Sequence, residues 1–439
     1  MIGNNPEFDR NLWLELTPHR LVALPVVFGL LLMLNLSLND YQLLKPAAYA
    51  AIGLFLLFTG IWGAKCASGS IYEEVVGRTW DWQRLSGLDP WPMTWGKLFG
   101  ATAFAWYGGL LCLAVAAVGL HDAGAGMREW LWLLLALFTV LFAHALGLFL
   151  NLLYIRSRPL ERARSGGSLY LFVILMMLMA SWALGPSSEE SIRWYGYSLP
   201  LLEFTLGSVI IAWLWTLLGA YRVMRREFLH TARPWIWLGF LLFLALYIGG
   251  LTGHSPVEWG FSAFLLWWAA TILALFVEHK DPVALRGLLS DLGQGDWEQA
   301  SLRMPSWLIA LLLATTAAIL VLMAFAAGRL GWKGEGDVAV ALIVPALLCF
   351  MLRDVALFLL LGFSADAKRP EVSAVVYLIL LYLVVPSLLG ALGLEGLSAL
   401  FIPRPDLHPT LALGGPLLGL ALAAALLIRQ WGRLSRPVN

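Results

Sequence analysis

His144 and the adjacent pair Arg353-Asp354 are the ionisable side chains that fall deep inside long apolar runs of this 439-residue chain. An ionisable group at membrane depth is costly, and it marks either a polar route across the bilayer or a locally satisfied pair. An imidazole, a guanidinium and a carboxylate could line a translocation path. The same residues could instead neutralise one another, or Arg353 could snorkel toward the headgroups. Other chemistry finds no residues to carry it. There is no GxxxxGK[ST] phosphate loop, since "GWKGEGD" at 331–337 lacks the spacing. There is no HExxH, no GxSxG and no pair of intramembrane carboxylates. Cys66, Cys112 and Cys349 form no CxxC and no disulfide framework. Neither catalysis by this chain nor a metal or cofactor bound to it is expected.

The elements that position these groups are membrane spans. The chain is 60% hydrophobic and 13% charged, with a mean hydropathy of +0.77. A soluble domain carries about 25% charged residues, so this chain cannot cover itself with polar surface. The net charge of +1 offers no basic field for nucleic acid. The first twenty residues are polar and of mixed charge, without the basic start and small-residue cleavage site of a signal peptide. Apolar runs of about 20 residues predict an all-α polytopic membrane protein of twelve helices. They lie near 21–38, 46–64, 98–120, 130–154, 168–184 and 204–222, then 235–252, 259–277, 307–328, 338–362, 373–392 and 411–430. With the N-terminus in the cytosol, 22 of the 29 basic residues fall in cytosolic segments. The distribution of Lys and Arg therefore predicts both termini on that side. The basic run Arg156–Arg164 and its weaker partner Lys368-Arg369 read most simply as topology determinants and contacts to anionic lipid.

The two halves repeat one another weakly and in order. Asp81-Trp82-Gln83 is followed nine positions after Asp81 by Pro90, and Asp296-Trp297-Glu298 nine positions after Asp296 by Pro305. "LFLNLLYIRSRP" (148–159) parallels "LFLLLGFSADAKRP" (357–370), which sets His144 opposite Arg353. Pro18 and Pro234 each precede the first span of a half. The offsets are 215, 209 and 216 residues, close to half the chain. Six helices is an even number, so the repeats, 1–225 and 226–439, are expected to be parallel.

Between the second and third spans lies "GRTWDWQRLSGLDPWPMTWGK" (77–97). Thr79 can cap a short helix with Asp81 in its first turn, and Gly87 and Pro90 end it. Trp82 and Leu85 share one face. Its counterpart has Asp296 as cap, Glu298 in the first turn and Pro305 as stop. A helix begun by Asp281-Pro282 precedes it, carrying Leu285, Leu288, Leu289 and Leu292. At the N-terminus Asn5 caps, Pro6 suits the first helical position, and Phe8, Leu12 and Leu16 line one face beside Trp13. That reads as an amphipathic helix on the inner leaflet. Each of these segments is also readable as a plain interfacial connector.

With Glu73, Glu74, Gly77, Thr79, the Trp82/Leu85 patch, Pro90 and Gly96-Lys97 in this order, the chain resembles the membrane subunit of ABC-2-type ABC transporters. The resemblance covers about 5–225 well and 226–439 weakly. Arg78 departs from it by standing between the glycine and the threonine, and the second half lacks the Gly-Thr and Gly-Lys elements. The resemblance implies that Glu73, Glu74, Gly77, Arg78, Thr79, Asp81, Trp82, Arg84, Leu85 and Pro90 belong to a loop that seats in an ATPase subunit. Asp296, Trp297, Glu298 and Pro305 would form its counterpart. It further implies that ATP and Mg are bound by that partner chain, in two copies per transporter. A re-entrant segment is implied at 185–203, with export from a bacterial-type cytoplasmic membrane. One chain would supply both membrane halves, and a homodimer is the other arrangement. Two further classes fit the composition: a twelve-helix secondary transporter, which wants buried carboxylates at the midplane, and a membrane scaffold or assembly factor.

Overall fold

The computed structural model describes residues 5–38, 45–156, 191–230, 233–252, 255–327, 335–364 and 370–434. The chain divides into two compact units, Met1–Ala232 and Arg233–Asn439. Ten helices among the described residues are long and apolar enough to cross a membrane. Of the twelve expected, the one at 168–184 lies outside the described residues. The one expected at 235–252 is Trp235–Gly249, 15 residues long. At about 1.5 Å per residue it falls short of a hydrocarbon core of about 30 Å.

Unit 1 opens with α1 (Pro6–Glu15) and α2 (Pro18–Leu38). Asn5 caps α1 by accepting from the amides of Glu7 and Phe8, with Pro6 at the first helical position. The second span is longer than its hydropathy suggested. It runs from α3 (Lys45–Phe55) through a π-helical stretch (Leu56–Trp62) into α4 (Gly63–Gly69) and α5 (Tyr72–Val76). Lys65, Glu73 and Glu74 therefore sit on helix, because no strong breaker occurs before Gly77. Then come α6 (Trp80–Arg84), α7 (Pro90–Trp95), a π-helical turn (Gly96–Gly100), α8 (Ala103–Asp122) and α9 (Met127–Arg156).

Among the described residues the strands form one small hairpin, β1 (Ser191–Trp194) with β2 (Tyr197–Pro200), which leads into α10 (Leu201–Glu227). The strands are antiparallel, Ser191 opposite Pro200 and Trp194 opposite Tyr197. Tyr195 and Gly196 both have positive φ, 49° and 81°, as a two-residue primed turn requires. This corrects the expectation at 185–203: its residues 191–200 form a hairpin, and 185–190 lie outside the described residues. Alternation through Ile192, Trp194 and Leu199 suits a strand better than a helix.

Unit 2 comprises α11 (Trp235–Gly249), α12 (Pro256–Val277), α13 (Pro282–Gln294), α14 (Trp297–Arg303), α15 (Ser306–Ala326) and α16 (Glu335–Gly362). These are followed by α17 (Pro370–Ile379), a π-helical turn (Leu380–Val384), α18 (Val385–Ala391), a 3-10 helix (Glu395–Leu400) and α19 (Pro409–Leu434). The 3-10 helix packs along α19, where a Cβ on Gly415 would come within 2.6 Å of the Ala399 carbonyl. In unit 1 the most extensive packing joins α3 to α8 and α9 to α10; in unit 2 it joins α12 to α15 and α16 to α19.

Candidate functional site

The α5–α6 connection of unit 1 is a Schellman turn. Thr79 N–H donates to the Glu74 carbonyl at 2.9 Å and Arg78 is left-handed at φ 57°. Glycine suits that conformation, but Gly77 stands one residue too early, at φ −72°. Thr79 does not cap α6 with its side chain as expected; its hydroxyl donates to the Glu74 carbonyl at 3.3 Å.

The sides of α6 take opposite environments. Trp80 is buried against Met93, Leu98 and Leu152, and meets the Phe228 ring edge-on at 6.1 Å. Trp82 and Leu85 point outward, 77% and 79% exposed. Asp81 pairs with Arg84 at 3.3 Å, and Arg84 Nε donates to the Glu227 carbonyl at 3.0 Å. Gly87, at φ 72°, ends the segment. Glu73, Gly77, Arg78 and Thr79 are exposed, whereas Glu74 and Pro90 are buried.

Behind this face lies a buried charge cluster. Lys97, 1% exposed, pairs with Glu7 at 2.7 Å and also with Glu74. Arg10 Nη1 lies 3.0 Å from Glu74 and 3.1 Å from Glu7. Gln83 Nε2 donates to Glu74 at 2.6 Å, and Asn11 Nδ2 donates to the Glu7 carboxylate at 2.7 Å. Two cations face two carboxylates, and Gln83 and Asn11 add neutral donors, as the burial of charge requires. Desolvation opposes the Arg10 charge, yet the two carboxylates hold its pKa above the ordinary value. Gly96 makes the approach possible: a Cβ there would stand 2.7 Å from Glu7 Cγ. Asn5 Nδ2 adds a bond to the Pro92 carbonyl at 2.7 Å. The polar stripe Glu7-Arg10-Asn11 thus fastens α1 to the start of the third span. This differs from a helix anchored only by Phe8, Leu12 and Leu16, which are half-buried while Trp13 points outward.

Glu7, Arg10, Lys97, Gln83 and Trp80 were not among the expected coupling residues. The spacing of Glu7, Arg10 and Asn11 on one helical face was the signal that could have found the first two. Glu74, expected in an outward-facing loop, lies inside the cluster because the second span continues as helix past Glu73.

The counterpart in unit 2 shares the turn and little else. Gly295 takes the left-handed position at φ 75°, Asp296 N–H donates to the Asp291 carbonyl, and Asp296 caps α14 by accepting from Gln299 N at 3.1 Å. Asp81 has no such role, so the two acids occupy different helix positions. Trp297 is 72% exposed, and Glu298 pairs with Arg233 at 2.7 Å. Arg303 ties α14 to α13 through Asp291 at 3.0 Å. Pro305 ends this segment as the cap residue of α15.

The membrane-depth residues find partners within their own unit, while His144 Nδ1 is buried with no hydrogen-bond partner among the described residues. His144 Nε2 lies 2.7 Å from the Thr59 carbonyl inside the π-helical stretch and must donate to it. Trp106 covers the ring edge-on, and a Cβ on Gly63 would stand 2.3 Å from His144 Nε2. Arg353 pairs with Asp354 at 2.9 Å, reaches the Leu400 carbonyl at 3.3 Å and packs on the rings of Phe350 and Tyr382. Tyr382 OH donates to Asp354 at 2.7 Å. Arg353 therefore reaches the 3-10 helix rather than snorkelling to headgroups. Among the described residues no group of His, Cys, Asp and Glu has the arrangement of a metal site.

No model of a known protein family, no curated protein and no solved structure matches the chain.

Proposed function

We propose that this chain is the membrane permease of an ATP-driven transporter of the ABC-2 type, with its ATPase on a separate chain. The observation that carries the reading is the two-sided build of α6. A five-residue helix offers Trp82 and Leu85 outward, while Trp80 and the Lys97 cluster fasten its other side to α1 and to the third span. An exposed apolar pair on so short an element has no core of its own to bury it. A partner seated there would meet a surface that cannot yield locally, so its displacement would pass to the helices. ATP and Mg belong to that partner. Closure of two ATPase subunits would move one six-helix half against the other, in the direction of export. The matching pairs α3–α8 with α12–α15 and α9–α10 with α16–α19 support two parallel repeats and hence both membrane halves on one chain. The positions of Lys and Arg support cytosolic termini in a bacterial-type inner membrane.

The test is copurification. The tagged full chain is extracted from its native membranes in mild detergent, and its companions are identified by mass spectrometry beside an Asp81→Ala/Trp82→Ala variant. A P-loop ATPase is expected with the wild type and not with the variant, whose exposed side chains leave the fold intact. If other membrane complexes survive extraction and no ATPase accompanies the chain, the transporter reading falls.

A further inference from the structure

A groove of about 740 Å³ opens at the N-terminal ends of α11 and α15 in unit 2. Its mouth carries Arg233, Trp235, Trp297 and Glu298; its floor is Leu238, Ile309, Leu312 and Leu313, and it reaches Thr316. On α15 the lining runs from Ile309 to Thr316, about 10 Å of helix, which lies within one leaflet of a hydrocarbon core about 30 Å thick. Leu312, on a span, points outward into this groove at 53% exposure. Two indoles at the mouth sit where tryptophans favour the headgroup level. Trp237 Nε1 donates to the Ser306 carbonyl at 3.0 Å and holds the two walls together.

We propose that this groove binds one phospholipid of the phosphatidylethanolamine class, one acyl chain along Leu312 and Leu313 and the headgroup at Arg233 and Glu298. The charges at the mouth decide the headgroup. Arg233 and Glu298 stand 2.7 Å apart with side chains 52% and 71% exposed, so both are open to a ligand. A phosphate accepts from the guanidinium while a primary ammonium donates to the carboxylate, and each charge keeps a partner. A phosphatidylglycerol headgroup brings the phosphate without a cation, so its hydroxyls offer Glu298 only neutral hydrogen bonds, weaker than that of an ammonium. A choline headgroup has no N–H to donate. This assignment does not depend on the ATPase reading.

Purified full-length protein is equilibrated with equal amounts of phosphatidylethanolamine, phosphatidylglycerol and phosphatidylcholine of identical acyl chains, and retained lipid is counted by native mass spectrometry. One retained phosphatidylethanolamine is expected in preference to the other two. Glu298→Gln is expected to lower that preference about tenfold, the size of one charge-assisted hydrogen bond. Arg233→Gln should weaken retention of all three lipids, which share the phosphate, and Leu312→Trp should narrow the groove and lower retention. As a check free of substitutions, the ethanolamine lipid should raise the Tm of delipidated wild type more than the other two. Equal retention of the three lipids, a preference for glycerol or choline, or wild-type retention by Leu312→Trp would each overturn the assignment.

Discussion

In unit 1 the Trp-bearing helix α6 is backed by a buried indole and four mutually paired charges. In unit 2 the Trp-bearing helix α14 is backed by Ala300 and a surface ion pair, Arg303 with Asp291. Both helices follow a left-handed residue and both lead to a proline at the start of a span, so the chain path is similar. What differs is the linkage to the rest of the unit. The Lys97 cluster joins residues 7, 74 and 97, drawn from three separate elements. The ion pairs of α14 reach only α13 and the residue before Pro234. Unit 2 thus has a similar backbone turn without the contacts that tie α6 to the rest of unit 1.

The cluster is where the comparison breaks most strongly. Lys97→Ala leaves Glu7 and Glu74 buried with Arg10 as their remaining cation, and breaking such a pair costs about 3–5 kcal/mol. Thermal unfolding in detergent should show the loss, and hydrogen exchange should show α1 losing protection first. Arg353→Ala in unit 2 should be of similar size, since Asp354 keeps only the Tyr382 hydroxyl. It should, however, leave the protection of α13 and α14 unchanged. If Lys97→Ala leaves α1 as protected as before, the cluster is not what holds it.

A second, smaller effect tests the π-helical stretch, which unit 1 has in its second span and α12 of unit 2 lacks. Gly63→Ala would place a methyl 2.3 Å from His144 Nε2, and such overpacking costs about 1–3 kcal/mol. The bond from His144 to the Thr59 carbonyl should be lost with it, visible as a shifted imidazole resonance. An alanine at Gly53, where no atom lies within 4 Å of the added carbon, should leave the Tm nearly unchanged. Equal effects at the two glycines would mean that the close approach of His144 to Gly63 does not stabilise the π-helical stretch.

Much of this was legible in sequence, and the exceptions have physical causes. Hydropathy located the spans because a 20-residue apolar run has few alternatives, and Asn5, Asp281 and Asp296 cap where their side chains allow. Thr79 could not be placed, because whether a hydroxyl caps its own helix or reaches back to Glu74 depends on the turn before it. The length of the second span was hidden because Lys65, Glu73 and Glu74 look like loop residues until their partners are known. The cations that pair with Glu74 are Arg10 and Lys97, and pairing over such separations leaves no local pattern. The hairpin at 191–200 carried a strand-like alternation in a chain otherwise read at helical period. Of the costly groups His144 and Arg353, the second meets its neighbour in sequence, Asp354, whereas the Thr59 carbonyl that faces His144 stands 85 residues away and leaves no local pattern.

The smallest effect compares one backbone position in the two units. Arg78 and Gly295 both stand left-handed after a helix, at φ 57° and 75°. A side chain in that region is strained by about 1 kcal/mol relative to glycine, while glycine raises the entropy of the unfolded chain by a similar amount. Arg78→Gly removes the strain at a position whose side chain is exposed, so it should be neutral or stabilise by up to about 1 kcal/mol. Gly295→Ala introduces the strain where space is open, with no atom within 4 Å of the added carbon, and should destabilise by about 1 kcal/mol. Because neither substitution touches packing, opposite signs in the two Tm shifts isolate backbone conformation as the cause. Two shifts of the same sign would mean that Arg78 is held by its side chain rather than tolerated in spite of it. In that case the departure from glycine at this point of unit 1 would belong to the surface that α6 presents.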